Sequence, residues 1–97
     1  METTQRGLCR EFGKTMVPQQ KVLRRDAIAW VKARFHGKGK RIGQSIDGMT
    51  VNHPNRVNRT FGANEPADIF YRIGSGKDAE LRLYERGDSP FYPVNRR

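Results

Sequence analysis

The sequence predicts a small α+β fold in which two to three helices pack on a C-terminal β-hairpin. Three observations lead there. Residues 19–35 carry apolar side chains at helical spacing, residues 40–49 repeat that spacing more briefly, and the last third alternates in the manner of strands. Ninety-seven residues suffice for one domain and leave little for a second.

Residues 1–18 show no sustained period and end at Pro18. Leu8, Phe12 and Met16 suit a turn or two of helix or a strap laid on the core, so the segment reads as an N-terminal arm. The domain proper is expected over 19–85. At about 100° per residue, Leu23, Ala27, Ile28, Trp30, Val31 and Phe35 share one arc, while Arg25, Ala29 and Lys32 face away. Arg34 falls inside the apolar arc, where its stem snorkels. Trp30 and Phe35 read as core anchors rather than stacking partners for bases.

Gly37 and Gly39 end that helix within a basic loop, His36–Arg41. Ile42, Ile46 and Met49, at i, i+4 and i+7, suit a second short helix whose other face carries Lys40, Arg41, Gln44, Ser45 and Asp47. Gly43 weakens it by about 1 kcal/mol relative to Ala, and Gly48 marks its end. Pro54 excludes a continuous helix from Thr50–Thr60, a stretch dense in Asn and Arg whose side chains build no core. Asp68–Ile73 then puts Ile69, Tyr71 and Ile73 on one face, and Glu80–Tyr84 sets Leu81 and Leu83 opposite Arg82 and Tyr84. Gly74-Ser75-Gly76-Lys77-Asp78 between them is turn-rich, which makes the pair a hairpin. Residues 86–97, with Gly87, Pro90 and Pro93, are expected to be an irregular tail.

The formal charge of +9 is unevenly placed. Lys21–Arg59 holds ten basic residues against Asp26 and Asp47, a net +8, whereas residues 60–95 hold four basic against six acidic, a net −2. A polyanion binder concentrates its charge in this way. No stretch approaches the roughly 18 apolar residues of a membrane span, and no charged-then-apolar leader opens the chain, so no membrane partner is expected. Cys9 is the single cysteine, which excludes an internal disulfide and a thiolate zinc cluster. A reducing, cytoplasmic setting is the default expectation.

Catalytic chemistry finds little purchase. His36 and His53 lie in different loops, and Asn52-His53-Pro54-Asn55 is only superficially like the His and Asn of small nucleases, which need a further ligand set. Gly74-Ser75-Gly76-Lys77 matches a phosphate loop in composition alone, since it joins two strands instead of opening a helix. With no nucleophile–base pair, the chain reads as non-enzymatic, with no cofactor and no metal.

Nucleic acid suits the residues better. Lys38, Lys40 and Arg41 can neutralise phosphates. Gln44, Ser45, Asn52, Asn55 and Arg56 are types that read base edges; His53, Asn58 and Arg59 share their loop. Helix, short basic helix, polar loop and hairpin follow one another as in a winged helix, whose second such helix enters the major groove while the hairpin touches the backbone. Ser75 and Lys77 at the hairpin tip would make that contact.

The run Val22–Tyr84 also resembles a family of small winged-helix domains of bacteria and mobile elements, some of them fused to restriction endonucleases. The resemblance rests on Ala27-Ile28-Ala29-Trp30-Val31, on Ile42, Ile46 and Met49-Thr50-Val51-Asn52 with Pro54 and Arg56, on Asp68-Ile69-Phe70-Tyr71-Arg72-Ile73-Gly74, and on Leu81-Arg82-Leu83-Tyr84-Glu85. It implies DNA binding, in fused relatives with sequence or modification sensing, and it does not imply cleavage; double-stranded DNA is the expected partner, and a regulatory role is one reading of such binding, beside nucleoid organisation and defence. A full winged helix has three helices, so a third comes from the N-terminal arm, from the Asn-rich loop, or is missing. The alternatives are an RNA-binding or ribosome-associated module, with Phe70, Tyr71 and Tyr84 stacking bases, and a protein-interaction subunit using Phe91 and Tyr92. A homodimer suits two-fold DNA sites and a limited core.

Overall fold

A computed structural model of the chain describes residues 4–35 and 41–96. Its first helix, α1 (Gln5–Lys14), starts at Thr4, whose hydroxyl accepts the Gly7 N–H at 2.9 Å and so satisfies one of the open donors of the first turn. The stretch expected as an arm is therefore part of the domain. Leu8, Cys9, Phe12 and, just beyond the helix, Met16 are buried in the main core cluster. Gly7 and Gly13 dilute the apolar period, and Gly13 lets α1 come close to the hairpin strand. A Cβ on Gly13 would stand 2.7 Å from Ile69 Cγ2.

The helix expected from residue 19 begins later. Val22–Leu23 is a short strand, β1, and α2 runs from Arg24 to Arg34. Pairing with the hairpin holds those two residues extended, against Leu81 and Glu80, and the Arg24 N–H continues the contact to the Ala79 carbonyl at 2.9 Å. Here tertiary hydrogen bonding overrides helical periodicity. Ala27 and Val31 are fully buried, and Ile28, Trp30 and Phe35 pack partly against the core. Arg34 snorkels as expected, its guanidinium 3.8 Å from the Trp30 ring centroid.

Helix α3 (Ile42–Gly48) buries Ile42 and Ile46, with Met49 following. The glycine at 43 has a local reason. A Cβ there would lie 2.6 Å from the Arg24 guanidinium, which reaches across to Asp47 with two bonds of 2.9 and 3.0 Å. Beyond α3 the chain runs beside the hairpin: Met49 O accepts the Phe70 N–H, Val51 N–H donates to Phe70 O, and the Thr50 hydroxyl donates back to Ile46 O at 2.7 Å. Thr50 and Val51 are fully buried, so this loop does build core. A 3-10 turn (Pro54–Asn58) and a two-residue strand, β2 (Thr60–Phe61), complete the connection.

The hairpin comprises β3 (Phe70–Ile73) and β4 (Glu80–Leu83), and the antiparallel sheet has the order β1-β4-β3. Its register pairs Phe70 with Leu83 and Arg72 with Leu81 on one face, Tyr71 with Arg82 on the other. Phe70 and Leu81 are fully buried, so the inward face of β3 is that of Phe70, one residue out of step with the Ile69, Tyr71 and Ile73 alternation. Phe12 joins helices and sheet, edge-on to Trp30 at 5.4 Å and tilted against Phe70 at 6.3 Å. The tail is also more ordered than expected. Tyr92 N–H donates to Val51 O at 2.7 Å, and β5 (Asn95–Arg96) pairs in parallel with β2. Over the described residues the fold is thus α+β, with three α-helices, a three-stranded antiparallel sheet and the small β2-β5 pair. Among the described residues no helix is long and apolar enough to cross a membrane.

Candidate nucleic-acid interface

Of the residues expected to touch nucleic acid, three are withdrawn into the structure. Asn52 is spent on the backbone of Arg72: its Nδ2 donates to the Arg72 carbonyl and its Oδ1 accepts the Arg72 N–H, both at 2.7 Å. An amide bonded at both ends is fixed against the hairpin backbone and is not free to turn towards a base edge. Arg56 is 1 % exposed. It donates to the Ala67 carbonyl at 2.9 Å, pairs with Asp68, and lies 5.3 Å from the Phe91 ring centroid. His53 is buried too, its Nδ1 accepting the Asn55 N–H at 3.2 Å as the cap of the 3-10 turn. Its Nε2 stands 3.5 Å from Asp47 Oδ2. Burial pushes the imidazole pKa below its ordinary value, and nearby Arg72, Arg24 and Arg59 add to that against the pull of Asp47. His53 is therefore a neutral cap rather than a cation facing a polyanion.

The remaining described candidates are at the surface. Asn55 and Asn58 are exposed, as are Ser75 and Lys77 in the hairpin turn. There Gly74 and Gly76 hold φ near +79° and +72°, which only glycine adopts freely. Arg25 at the start of α2 reaches Asp78 at 3.4 Å, so that turn sits beside the N-terminus of α2, which in turn is tied to α3 by Arg24 and Asp47. Lys38 and Lys40 lie outside the described residues.

Arg41, Gln44, Ser45 and Arg59 come together. They line a recess of about 230 Å³ beside α3 with Arg6, Gly48 and Phe61. A second recess, of about 520 Å³, shares Arg6, Arg59 and Phe61 and is bounded by Asn58, Thr60 and Gly62, so the two adjoin, and together they are termed the basic groove. Arg6 is the residue the sequence reading missed. It lies in the segment taken for an arm, and only the packing of α1 against α3 brings it here. Its guanidinium sits 4.4 Å from the Phe61 ring centroid, and Nη1 is 3.3 Å from Glu65 Oε1.

Compared with protein-family models, with curated proteins and with solved structures, the chain matches none. A further cleft, about 960 Å³ between α1, the 62–69 loop and the end of β4, shares only Gly62 with the basic groove. Its cations Arg10 and Lys14 are offset by Glu65 and Asp68, and Arg10 is 3.5 Å from Glu65, so its charge is balanced. Among the described residues no three His, Cys, Asp or Glu side chains are grouped to hold a metal ion.

Proposed function

We propose that the chain is a DNA-binding protein of winged-helix type that docks on duplex DNA through the outer face of α3 and the hairpin turn. The observation that carries this reading is topological. Setting aside β2 and β5, which pair with each other in a separate two-stranded sheet, the elements follow as helix, strand, helix, helix, strand, strand, and the short β1 pairs with β4 to give the order β1-β4-β3. In that arrangement α3 turns Ile42 and Ile46 inward and leaves Arg41 and Gln44 exposed, the residue types that meet phosphates and base edges. The basic block of Lys21–Arg59 supplies the long-range attraction. The expected resemblance to small bacterial winged-helix domains belongs to the same reading, as do a regulatory role and a nucleoid-associated location.

The aromatic residues that would serve single-stranded RNA favour DNA by their engagement. Tyr71 carries the Arg82 guanidinium 4.4 Å from its ring centroid, and Tyr84 leans on Phe91 at 5.8 Å. Fluorescence anisotropy with a labelled duplex, titrated from low to physiological salt, tests the proposal. Binding that weakens steeply with salt, and that outcompetes structured RNA, is expected. Absence of duplex binding at low salt overturns it.

A further inference from the structure

The groove beside α3 draws its three guanidiniums from separate parts of the chain: Arg6 from α1, Arg41 from the start of α3, and Arg59 from the residue before β2. Four other arginines are paired with carboxylates, Arg24 with Asp47, Arg25 with Asp78, Arg56 with Asp68 and Arg82 with Asp88, while Arg34, Arg72 and Arg86, which have no such partner among the described residues, line neither recess. Among the described residues Arg41 and Arg59 have no such acidic partner.

Both are nonetheless held in place. Arg41 takes up the left-handed region at φ 62°, a conformation that favours glycine and costs a long side chain roughly 1 kcal/mol or more. The backbone of Arg59 is fixed on both sides, its N–H donating to Arg56 O and its carbonyl accepting the Asn95 N–H, each at 3.0 Å. Its stem lies against α3 where the helix has no side chain: a Cβ on Gly48 would be 3.0 Å from Arg59 Cγ and 3.4 Å from Phe61 Cζ. Arg59 Nε is buried and has no hydrogen-bond partner among the described residues, a donor that folding leaves to be satisfied. Ser45 and Thr60 add hydroxyls to the lining.

We propose that this groove is a phosphate-binding site in which Arg41 and Arg59 bind phosphoryl oxygens, Arg6 is a third ligand restrained by Glu65, and Gly48 positions Arg59. The inference rests on the DNA-binding reading and narrows it: the ligand is the sugar–phosphate backbone, gripped without regard to base. An open groove suits a polymer passing through, where an enclosed pocket would suit a small ligand. Fork-shaped guanidinium donors match phosphate oxygens in pairs. Glu65 is the internal competitor. Its two oxygens hold Arg6 at 3.3 Å and Arg10 at 3.5 Å, and Oε1 also accepts the Gly62 N–H at 3.2 Å. A phosphate arriving at Arg6 competes with that carboxylate.

The test is the salt dependence of duplex affinity for the full chain and its variants, with folding of each checked by circular dichroism. Arg41→Gln and Arg59→Met are each expected to lower the slope of log K against log salt by about 0.9, equally on unrelated sequences. Arg41 is exposed, so its variant stays informative if the Arg59 one misfolds. Gly48→Ala should lower the slope as well, although it changes no charge. Glu65→Gln keeps an oxygen for Gly62 and should tighten binding roughly two- to fivefold. Arg86→Gln, an exposed charge outside the groove, is the control and leaves the slope unchanged. If the parent chain binds duplex and the Arg41 and Arg59 variants keep its slope, the groove proposal is overturned while the DNA-binding reading survives. If the parent binds no duplex, inorganic pyrophosphate is titrated while the arginine Nε–H resonances are followed. Shifts confined to Arg6, Arg41 and Arg59 then support a site for free phosphate esters and sink the DNA reading. No shifts overturn both.

Discussion

Replacing Arg56 with methionine separates a strut from a base reader. The side chain is 1 % exposed, and methionine is long enough to fill much of its volume, so the loss is chiefly polar. The charge-assisted bond to the Ala67 carbonyl at 2.9 Å is worth about 1.5–3 kcal/mol, because that carbonyl loses its donor. The Phe91 contact at 5.3 Å adds about 0.5 kcal/mol. Asp68 is 41 % exposed and is rehydrated when its partner goes, so it adds little. The sum is about 3 kcal/mol against the roughly 5–15 kcal/mol that hold a domain of this size. It corresponds to a fall in Tm of about 12–24 °C. Urea and thermal unfolding followed by circular dichroism measure it, and duplex binding at low temperature, where R56M is still folded, should match the parent within about twofold. A variant as stable as the parent, with relaxed base preference, would show that Arg56 reads DNA and that the reasoning from burial is wrong.

Four further outcomes are expected. Asn52→Asp turns a donor facing the Arg72 carbonyl into an acceptor and should cost about 1–3 kcal/mol in urea unfolding; no change in midpoint would count against the strut. His53 has a folded pKa below its ordinary 6.5, so the unfolded chain binds the extra proton first. Stability is therefore full above pH 6.5 and falls as pH drops through 6.5 towards the folded value, and H53Q should flatten that loss; an NMR titration placing His53 at or above 6.5 refutes the sign. Burial pushes the Cys9 thiol up to about 12, so a thiol reagent at pH 8 should react only as fast as the protein opens; rapid labelling of the native chain contradicts it. Gly13→Ala should destabilise by about 1–3 kcal/mol, since Ile69 Cγ2 is a branched carbon close to its backbone that cannot swing aside; an unchanged Tm argues against the close approach.

Periodicity made α2, α3 and the hairpin legible because each buries a regular face. It failed on α1, where Gly7 and Gly13 stand at buried positions and blur the pattern. It failed on β1 and β5, since a pair of residues has no period. The face of β3 was misread because Ile69, Tyr71 and Ile73 are the more apolar alternation, while the inward register holds Phe70 with Arg72. In the candidate site, Asn and Arg carry the same chemistry whether they face a base or a buried carbonyl. Composition brought Asn52 and Arg56 to notice as hydrogen-bonding residues, and only tertiary packing assigned their partners. Arg59 and Arg41 were legible as charges; the contribution of Arg6 required α1 to be seen lying against α3.

The parallel pairing of β2 with β5 has a consequence for when the groove exists. Thr60 is matched with Asn95, and the Arg59 carbonyl is held by the Asn95 N–H. During synthesis the segment carrying Arg59 therefore emerges well before the strand that clamps it. The edge that carries Arg59 stays unfastened until then, and the long loop must close before it is set. The clamp on the Arg59 carbonyl thus cannot form until Asn95 has emerged.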